Sequence, residues 1–222
     1  MGDMITYHSA DGTSLSAYQA LPDGPARGGL IICQEIFGVN PHIKEVCDSY
    51  AADGWHVIAP CLFDPAAPDI SLPYDSDGKQ TGLGYKDQVD GRAEGDIAAA
   101  AALFPLSYKR AIIGFCWGGS LAWRMACYHT LFDAAISYYG GQLPALSRLS
   151  AHCPVLAHFG TLDATIPIEG VTDFRQSQPD VTCHLYEADH GFNCDHRPQY
   201  HADSAHLARQ RTDAFLAQYC EA

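Results

Sequence analysis

Basic residues are scarce in this chain: 13 Lys and Arg face 26 Asp and Glu over 222 residues, a formal charge of −13. A surface of that sign repels nucleic acid and anionic membranes, so neither is expected as a partner. Long apolar runs are missing as well. The most apolar stretch, Ile97 to Phe104, is far short of the ~20 residues that span a bilayer. The segment from Met1 to Thr6 has neither the basic n-region nor the apolar h-region of a signal peptide. The nine cysteines contain no C-x-x-C pair, which argues against a disulfide framework or a structural zinc site and for a reducing, cytoplasmic setting. His196, His201 and His206 recur every five residues, a spacing that does not stack ligands on one helix face. No metal and no other cofactor is expected. Internal repeats and low-complexity linkers are also missing, and the length suits a single domain over residues 1–222, as a monomer or homodimer.

What is present is a globular mixture, 47% hydrophobic and 18% charged, in which strand-like and helix-like periods alternate. Ile5–His8 and Leu15–Tyr18 flank Asp11-Gly12 and predict an N-terminal β-hairpin. The continuous apolar run Gly29–Cys33 reads as a strand covered on both faces. The pattern then predicts a helix from Pro41 to about Ala52, a strand at Trp55–Ala59, a helix from about Asp87 to Phe104, a strand at Arg110–Gly114 and a helix after Gly118. Strands follow at Ala134–Tyr138 and Val155–Phe159, then a helix near Ile168–Gln176, a strand at Thr182–Tyr186 and a last helix from roughly His201 to Tyr219. Repeated βα units imply an α/β fold: a mostly parallel, doubly wound sheet with helices on both faces and reactive groups on loops at the carboxyl ends of its strands. The long stretch Pro60–Tyr85, rich in Pro and Gly, is expected to be an irregular lid or binding segment.

The strand Ala111-Ile112-Ile113 runs into Gly114-Phe115-Cys116-Trp117-Gly118-Gly119 and then an apolar helical pattern. Glycines two before and two after the cysteine permit the strained strand-to-helix turn that exposes a nucleophile. The free N–H groups at the helix start favour a thiolate there. A cysteine nucleophile needs a base in reach. His190, in Asp189-His190-Gly191-Phe192 directly after the strand at 182–186, lies on a carboxyl-end loop and is the candidate base. The imidazole needs an acceptor that fixes its tautomer. Asp163, in Gly160-Thr161-Leu162-Asp163, leads for that role, with Glu169 and Asp189 as alternatives. The order Cys116, Asp163, His190 is the nucleophile, acid, base order of α/β-hydrolases.

Four segments, Gln34-Glu35-Ile36-Phe37-Gly38, Gly114-Phe115-Cys116-Trp117-Gly118-Gly119, Gly160-Thr161-Leu162-Asp163 and His190-Gly191-Phe192, resemble the dienelactone hydrolase (carboxymethylenebutenolidase) family, and the resemblance extends over nearly the whole chain. It implies an α/β-hydrolase fold and hydrolysis of an ester or lactone of a small soluble molecule. It further implies that Glu35 accepts the thiol proton as substrate binds, and that the backbone N–H groups of Ile36 and Trp117 form the oxyanion hole. Members that cleave dienelactone hold its carboxylate with an arginine four residues after the histidine and another in the lid region; here the first position is Cys194. Arg92, Arg197 and Lys86 are candidate replacements, and Phe37 and Phe192 are candidate contacts for the rest of the substrate. Other functions share these residues: a thioesterase or peptidase on the same scaffold, or a non-catalytic protein in which Cys116 senses oxidants or holds a ligand. A sensor usually keeps a resolving cysteine nearby, and none lies within ten residues of Cys116.

Overall fold

The computed structural model of the chain describes residues 1–221, which fall into two compact units, 1–110 and 111–221. In the first, β1 (Asp3–His8) and β2 (Ser14–Ala20) form the expected antiparallel hairpin. Its turn is closed by the Ser9 N–H donating to the Thr13 carbonyl at 2.9 Å, with Gly12 at φ +86°. β2 runs antiparallel to β4 (His56–Pro60), and β3 (Gly29–Cys33) runs parallel to β4, giving the spatial order β1-β2-β4-β3. β3 and β4 are buried at every residue, which is why their sequences are unbroken by polar alternation. Between them, α1 (Pro41–Ala52) starts where Asn40 accepts from the Ile43 N–H at 3.1 Å and Pro41 fills the first turn, where no N–H is needed. Its buried face carries Ile43, Cys47, Tyr50 and Ala51.

The expectation of an irregular Pro60–Tyr85 segment is corrected. Helix α2 (Ser76–Val89) begins inside it, capped by Asp75, whose carboxylate accepts from the Gly78 N–H at 2.8 Å. The helix expected from Asp87 to Phe104 is instead divided: α2 ends at Val89 and α3 (Ala93–Ala101) starts after Arg92. Gly78, Gly82 and Gly84 disguise α2 in the sequence, because each glycine costs a helix about 1 kcal/mol relative to alanine. Two of them are required by close backbone contacts: Gly78 lies against the Pro73 carbonyl and Gly82 against the Ile36 carbonyl, with no room for a Cβ. The Leu72 N–H also donates to the Phe37 carbonyl at 2.9 Å, and the Phe37 and Tyr74 rings are 4.6 Å apart. Residues 70–82 therefore brace the 36–38 loop.

In the second unit β5 (Arg110–Phe115), β6 (Ala134–Tyr138), β7 (Val155–Gly160) and β8 (Thr182–Tyr186) lie side by side in chain order, all parallel. Parallel neighbours need crossovers. These include α4 (Trp117–Tyr128) and α5 (Ile168–Ser177), and α6 (Ala202–Cys220) follows β8. β6 and β7 are buried throughout, whereas β8 is half exposed, as an edge strand is. α6 buries Ala205, Ala208, Thr212, Phe215 and Leu216 at three- and four-residue steps. Phe215 and Leu216 alone stabilise the unit by about 1.5–3 kcal/mol each on transfer grounds. Thr212 is there for its hydroxyl: Oγ1 lies 2.7 Å from the Tyr138 hydroxyl and 3.1 Å from His158 Nε2, while His158 Nδ1 meets the Tyr186 hydroxyl at 2.8 Å. This satisfied network ties α6 to β6, β7 and β8. Burial first, then the neighbouring His184 and Arg211, holds the His158 pKa well below the usual histidine value, so the ring is neutral at neutral pH.

Candidate active site

Cys116 sits between β5 and α4 with φ +56° and ψ −113°, outside the regions that a residue with a Cβ readily adopts. Such a conformation costs on the order of 1–3 kcal/mol and persists only when its surroundings impose it. Here the Cys116 N–H donates to the Tyr138 carbonyl at 3.0 Å and the Cys116 carbonyl accepts the Ser120 N–H at 3.2 Å. A side chain at Gly114 would run into the Gly118 carbonyl, so the glycine before the cysteine is dictated by the sharpness of the turn. The thiol is partly exposed, whereas Trp117 behind it is buried.

His190 follows β8 and Asp163 follows β7, and their side chains meet: His190 Nδ1 is 2.7 Å from Asp163 Oδ2. The other carboxylate oxygen, Oδ1, accepts from the Thr165 N–H at 2.8 Å, the Thr165 hydroxyl at 2.6 Å and the Ile166 N–H at 3.2 Å. Burial pushes the Asp163 pKa up, but the His190 and Thr165 hydrogen bonds and the imidazolium charge outweigh it, and the net shift is down. Burial likewise pushes His190 down. The Cys116 charge and hydrogen bond, with the bond and charge of Asp163, overcome this and raise the pKa to about 10. With Nδ1 on Asp163, Nε2 is the ring nitrogen left for Cys116. Of the alternative acids, Glu169 is exposed on α5, and Asp189 accepts the His190 backbone N–H at 2.6 Å.

The structure therefore brings Cys116, His190 and Asp163 together within one unit. Arg197 comes near them: the Cys194 N–H donates to the Gly191 carbonyl and the Arg197 N–H to the Cys194 carbonyl, and these turns fold the chain back. A Cβ on Gly191 would lie 2.5 Å from Arg197 Nη1. Phe192, expected at the substrate, is fully buried, with ring contacts to Tyr139 at 5.5 Å and Tyr186 at 5.0 Å; its visible role is packing. Glu35, Ile36 and Phe37, all buried, lie in the first unit on the loop after β3. Arg92 lies in the first unit. Its guanidinium grips Asp96 at 2.9 and 3.1 Å and approaches Asp11 at 3.3 Å, which ties α3 to the hairpin. Lys86 is 3.5 Å from Asp87 on the surface of α2. Two residues beside Cys116, His190 and Asp163 escape sequence reasoning: Thr165 and Tyr139. A hydroxyl residue two positions after an aspartate is the signature of a local side-chain turn and could have flagged Thr165. Tyr139 had only its place after β6 to mark it.

A strand-to-helix elbow bearing a cysteine after one parallel strand, an aspartate after a later one and a histidine after the last have the chain order of the α/β-hydrolase class. The fold is that of this class, with mostly parallel strands in each unit and an N-terminal antiparallel hairpin. The pattern of the Dienelactone hydrolase family matches residues 15–220. The chain is 32% identical over 232 residues to a Yersinia pestis protein named "Putative carboxymethylenebutenolidase", across 95% of this chain and 86% of that one. It is 32% identical over 203 residues to a Synechocystis protein of the same name, across 82% of each. The crystal structure of a "Putative Dienelactone Hydrolase" from Klebsiella pneumoniae matches with a TM-score of 0.80 and 31% identity, over 98% of this chain and 100% of that one. The chain belongs to the dienelactone hydrolase family and is a dienelactone hydrolase-like hydrolase. Among the described residues, no helix is long and apolar enough to cross a membrane.

Proposed function

We propose that this protein hydrolyses an ester or lactone bond of a small molecule, with Cys116 as nucleophile, His190 as acid and then base, and Asp163 as the group that orients the imidazole. The observation that carries this reading is the 2.7 Å bond from His190 Nδ1 to Asp163, which leaves Nε2 of the same ring for Cys116, the side chain that most strongly raises the His190 pKa. The sulfur attacks the carbonyl carbon, and the developing oxyanion takes the backbone N–H of Trp117. When the tetrahedral intermediate collapses, the C–O bond breaks, and the leaving alkoxide takes a proton from His190 Nε2, leaving a thioester on Cys116. Water then gives a proton to His190 as it attacks the thioester, and the carboxylic acid departs with the thiol restored. In the family pattern Glu35, rather than His190, takes the thiol proton as substrate binds, so that His190 enters the cycle already carrying the proton it gives the alkoxide, and the Ile36 N–H is the second oxyanion donor. Nine free cysteines suit a reducing compartment.

The test is a hydrolysis screen over small esters, lactones and acyl thioesters beside Cys116→Ala, with mass spectrometry of the protein quenched during turnover. An acyl adduct on Cys116 and loss of turnover in the variant are expected. Undiminished turnover in Cys116→Ala rejects the reading.

A further inference from the structure

Tyr139 takes no part in the steps above, yet its backbone is as unusual as that of the nucleophile. Its φ is +41°, which for a bulky aromatic residue is a genuine outlier held by its surroundings. The Tyr139 N–H donates to the His158 carbonyl at 2.8 Å. The side chain is fully buried, and its ring lies 5.0 Å from the His190 imidazole at 57°, 5.5 Å from Phe192 and 6.3 Å from Phe115. One residue earlier, the Tyr138 carbonyl accepts the Cys116 N–H at 3.0 Å. Two consecutive residues at the end of β6 thus hold the cysteine by its backbone and the histidine by its ring.

From this juxtaposition we infer that Tyr139 is a positioning residue: its ring, turned toward His190 by the left-handed backbone, fixes the imidazole plane and shields that face from water, so that Nδ1 stays on Asp163 while the other nitrogen stays on Cys116. The other groups that face His190 are Cys116, Asp163 and Thr165, with Asp189 on its backbone N–H and Arg197 beside the following glycine. None of these is an aromatic ring, and a tilted ring 5.0 Å away also lies within the ~6 Å over which an aromatic side chain favours a charged imidazolium. The catalytic consequence rests on the triad reading given above; the hold on the imidazole does not.

Two kinds of measurement separate those claims. The first is kcat and KM on p-nitrophenyl acetate, and the second is the titration of the His190 ring followed by nitrogen NMR, which needs no substrate. Tyr139→Asn removes the ring while keeping a residue that tolerates left-handed backbone. It should lower kcat about 10- to 100-fold with KM nearly unchanged, as misplacement of a catalytic group does, and it should lower the His190 midpoint by about half a unit or more. Tyr139→Phe, which retains the ring, should recover both. A Tyr139→Asn protein with kcat within about threefold and an unmoved midpoint overturns the inference, as does an equal loss in Tyr139→Phe. Should the asparagine variant not fold, cross-relaxation between the Tyr139 ring and the His190 ring protons of the unaltered protein decides, and its absence overturns the inference. If Cys116→Ala still hydrolyses the ester, the triad reading falls while the titration continues to judge Tyr139.

Discussion

Asp163→Asn is the most informative single change, because the two oxygens of this carboxylate do different jobs. Oδ1 accepts from three donors, the Thr165 N–H and hydroxyl and the Ile166 N–H, whereas Oδ2 accepts from the imidazole alone. An asparagine has one acceptor and one donor end. Three donors against one decide its orientation: the amide oxygen stays with Thr165 and Ile166, and the NH2 turns toward His190 Nδ1. That nitrogen must then accept, so the ring proton moves to Nε2, the atom that has to take the proton of the attacking water. A ring in this tautomer cannot act as base. The expected loss is about 10³- to 10⁴-fold in kcat, or about 4–5.5 kcal/mol of barrier. The fold should persist, since most of the hydrogen bonds to the side chain survive. Ester turnover, the rate at which a thiol reagent modifies Cys116, and the imidazole nitrogen shifts together read rate, nucleophile and tautomer. Turnover within tenfold of the unaltered protein, or a ring that keeps its proton on Nδ1, refutes the argument.

Thr165→Val removes the 2.6 Å bond to a buried carboxylate and should cost about 1.5–3 kcal/mol of stability at neutral pH by urea unfolding, with a smaller kcat loss than Asp163→Asn. Gly82→Ala places a methyl group where the Ile36 carbonyl stands. It should lower the melting temperature, and should lower kcat as well if the Ile36 N–H serves the oxyanion. His190 is raised from 6.5 to about 10 against the opposing effect of burial, so its contribution to stability is full below about pH 6.5 and is lost as pH rises through 10. Asp163 is lowered from 3.8, so its contribution is present above that pH and is lost as pH falls below it. Unfolding free energies measured from pH 6 to 10 should therefore decline, and in Cys116→Ala, which lacks the largest raising influence, the His190 contribution should disappear at lower pH.

The legible parts of this protein are those whose cause is local. The elbow around Cys116 could be read because the Gly114 and Gly118 contact lies within a few residues of chain, and the Asn40-Pro41 helix start because a cap needs only its own first turn. α2 was not legible, since its glycines answer to the Ile36 and Pro73 carbonyls rather than to helix propensity. Arg92 looked like a cation in reach of a ligand, but the bond to Asp96 sits one helical turn away and could have been anticipated from the i, i+4 spacing. Tyr139 faces His190 only because separate strands set them there, and Thr212, in an otherwise apolar stripe, serves hydroxyls and an imidazole on other strands.

The substrate anchor is where residue identity and structure bear on each other most. Cys194 occupies the position that holds an arginine in the dienelactone-cleaving relatives, and the structure buries it fully in the turn that begins at Gly191. Replacing it with arginine would put a much larger, charged side chain where a fully buried cysteine stands, which should destabilise the turn. A gain of carboxylate preference is therefore a poor expectation for Cys194→Arg, and a loss of stability a good one. The cation that the fold does carry toward the histidine is Arg197, whose guanidinium packs on Gly191, whereas Arg92 is held by Asp96 and Asp11. A preference for carboxylate-bearing lactones over neutral ones, measured as a ratio of kcat/KM, should thus fall about ten- to a hundred-fold in Arg197→Ala, as loss of a charge-assisted hydrogen bond of about 1.5–3 kcal/mol requires. The same ratio should be unmoved in Arg92→Ala, which should instead lower the melting temperature. If the ratio collapses in Arg92→Ala and survives in Arg197→Ala, the geometry has been misread. If the unaltered protein shows no preference for the acid, Arg197 serves the histidine loop and the natural substrate is a neutral ester.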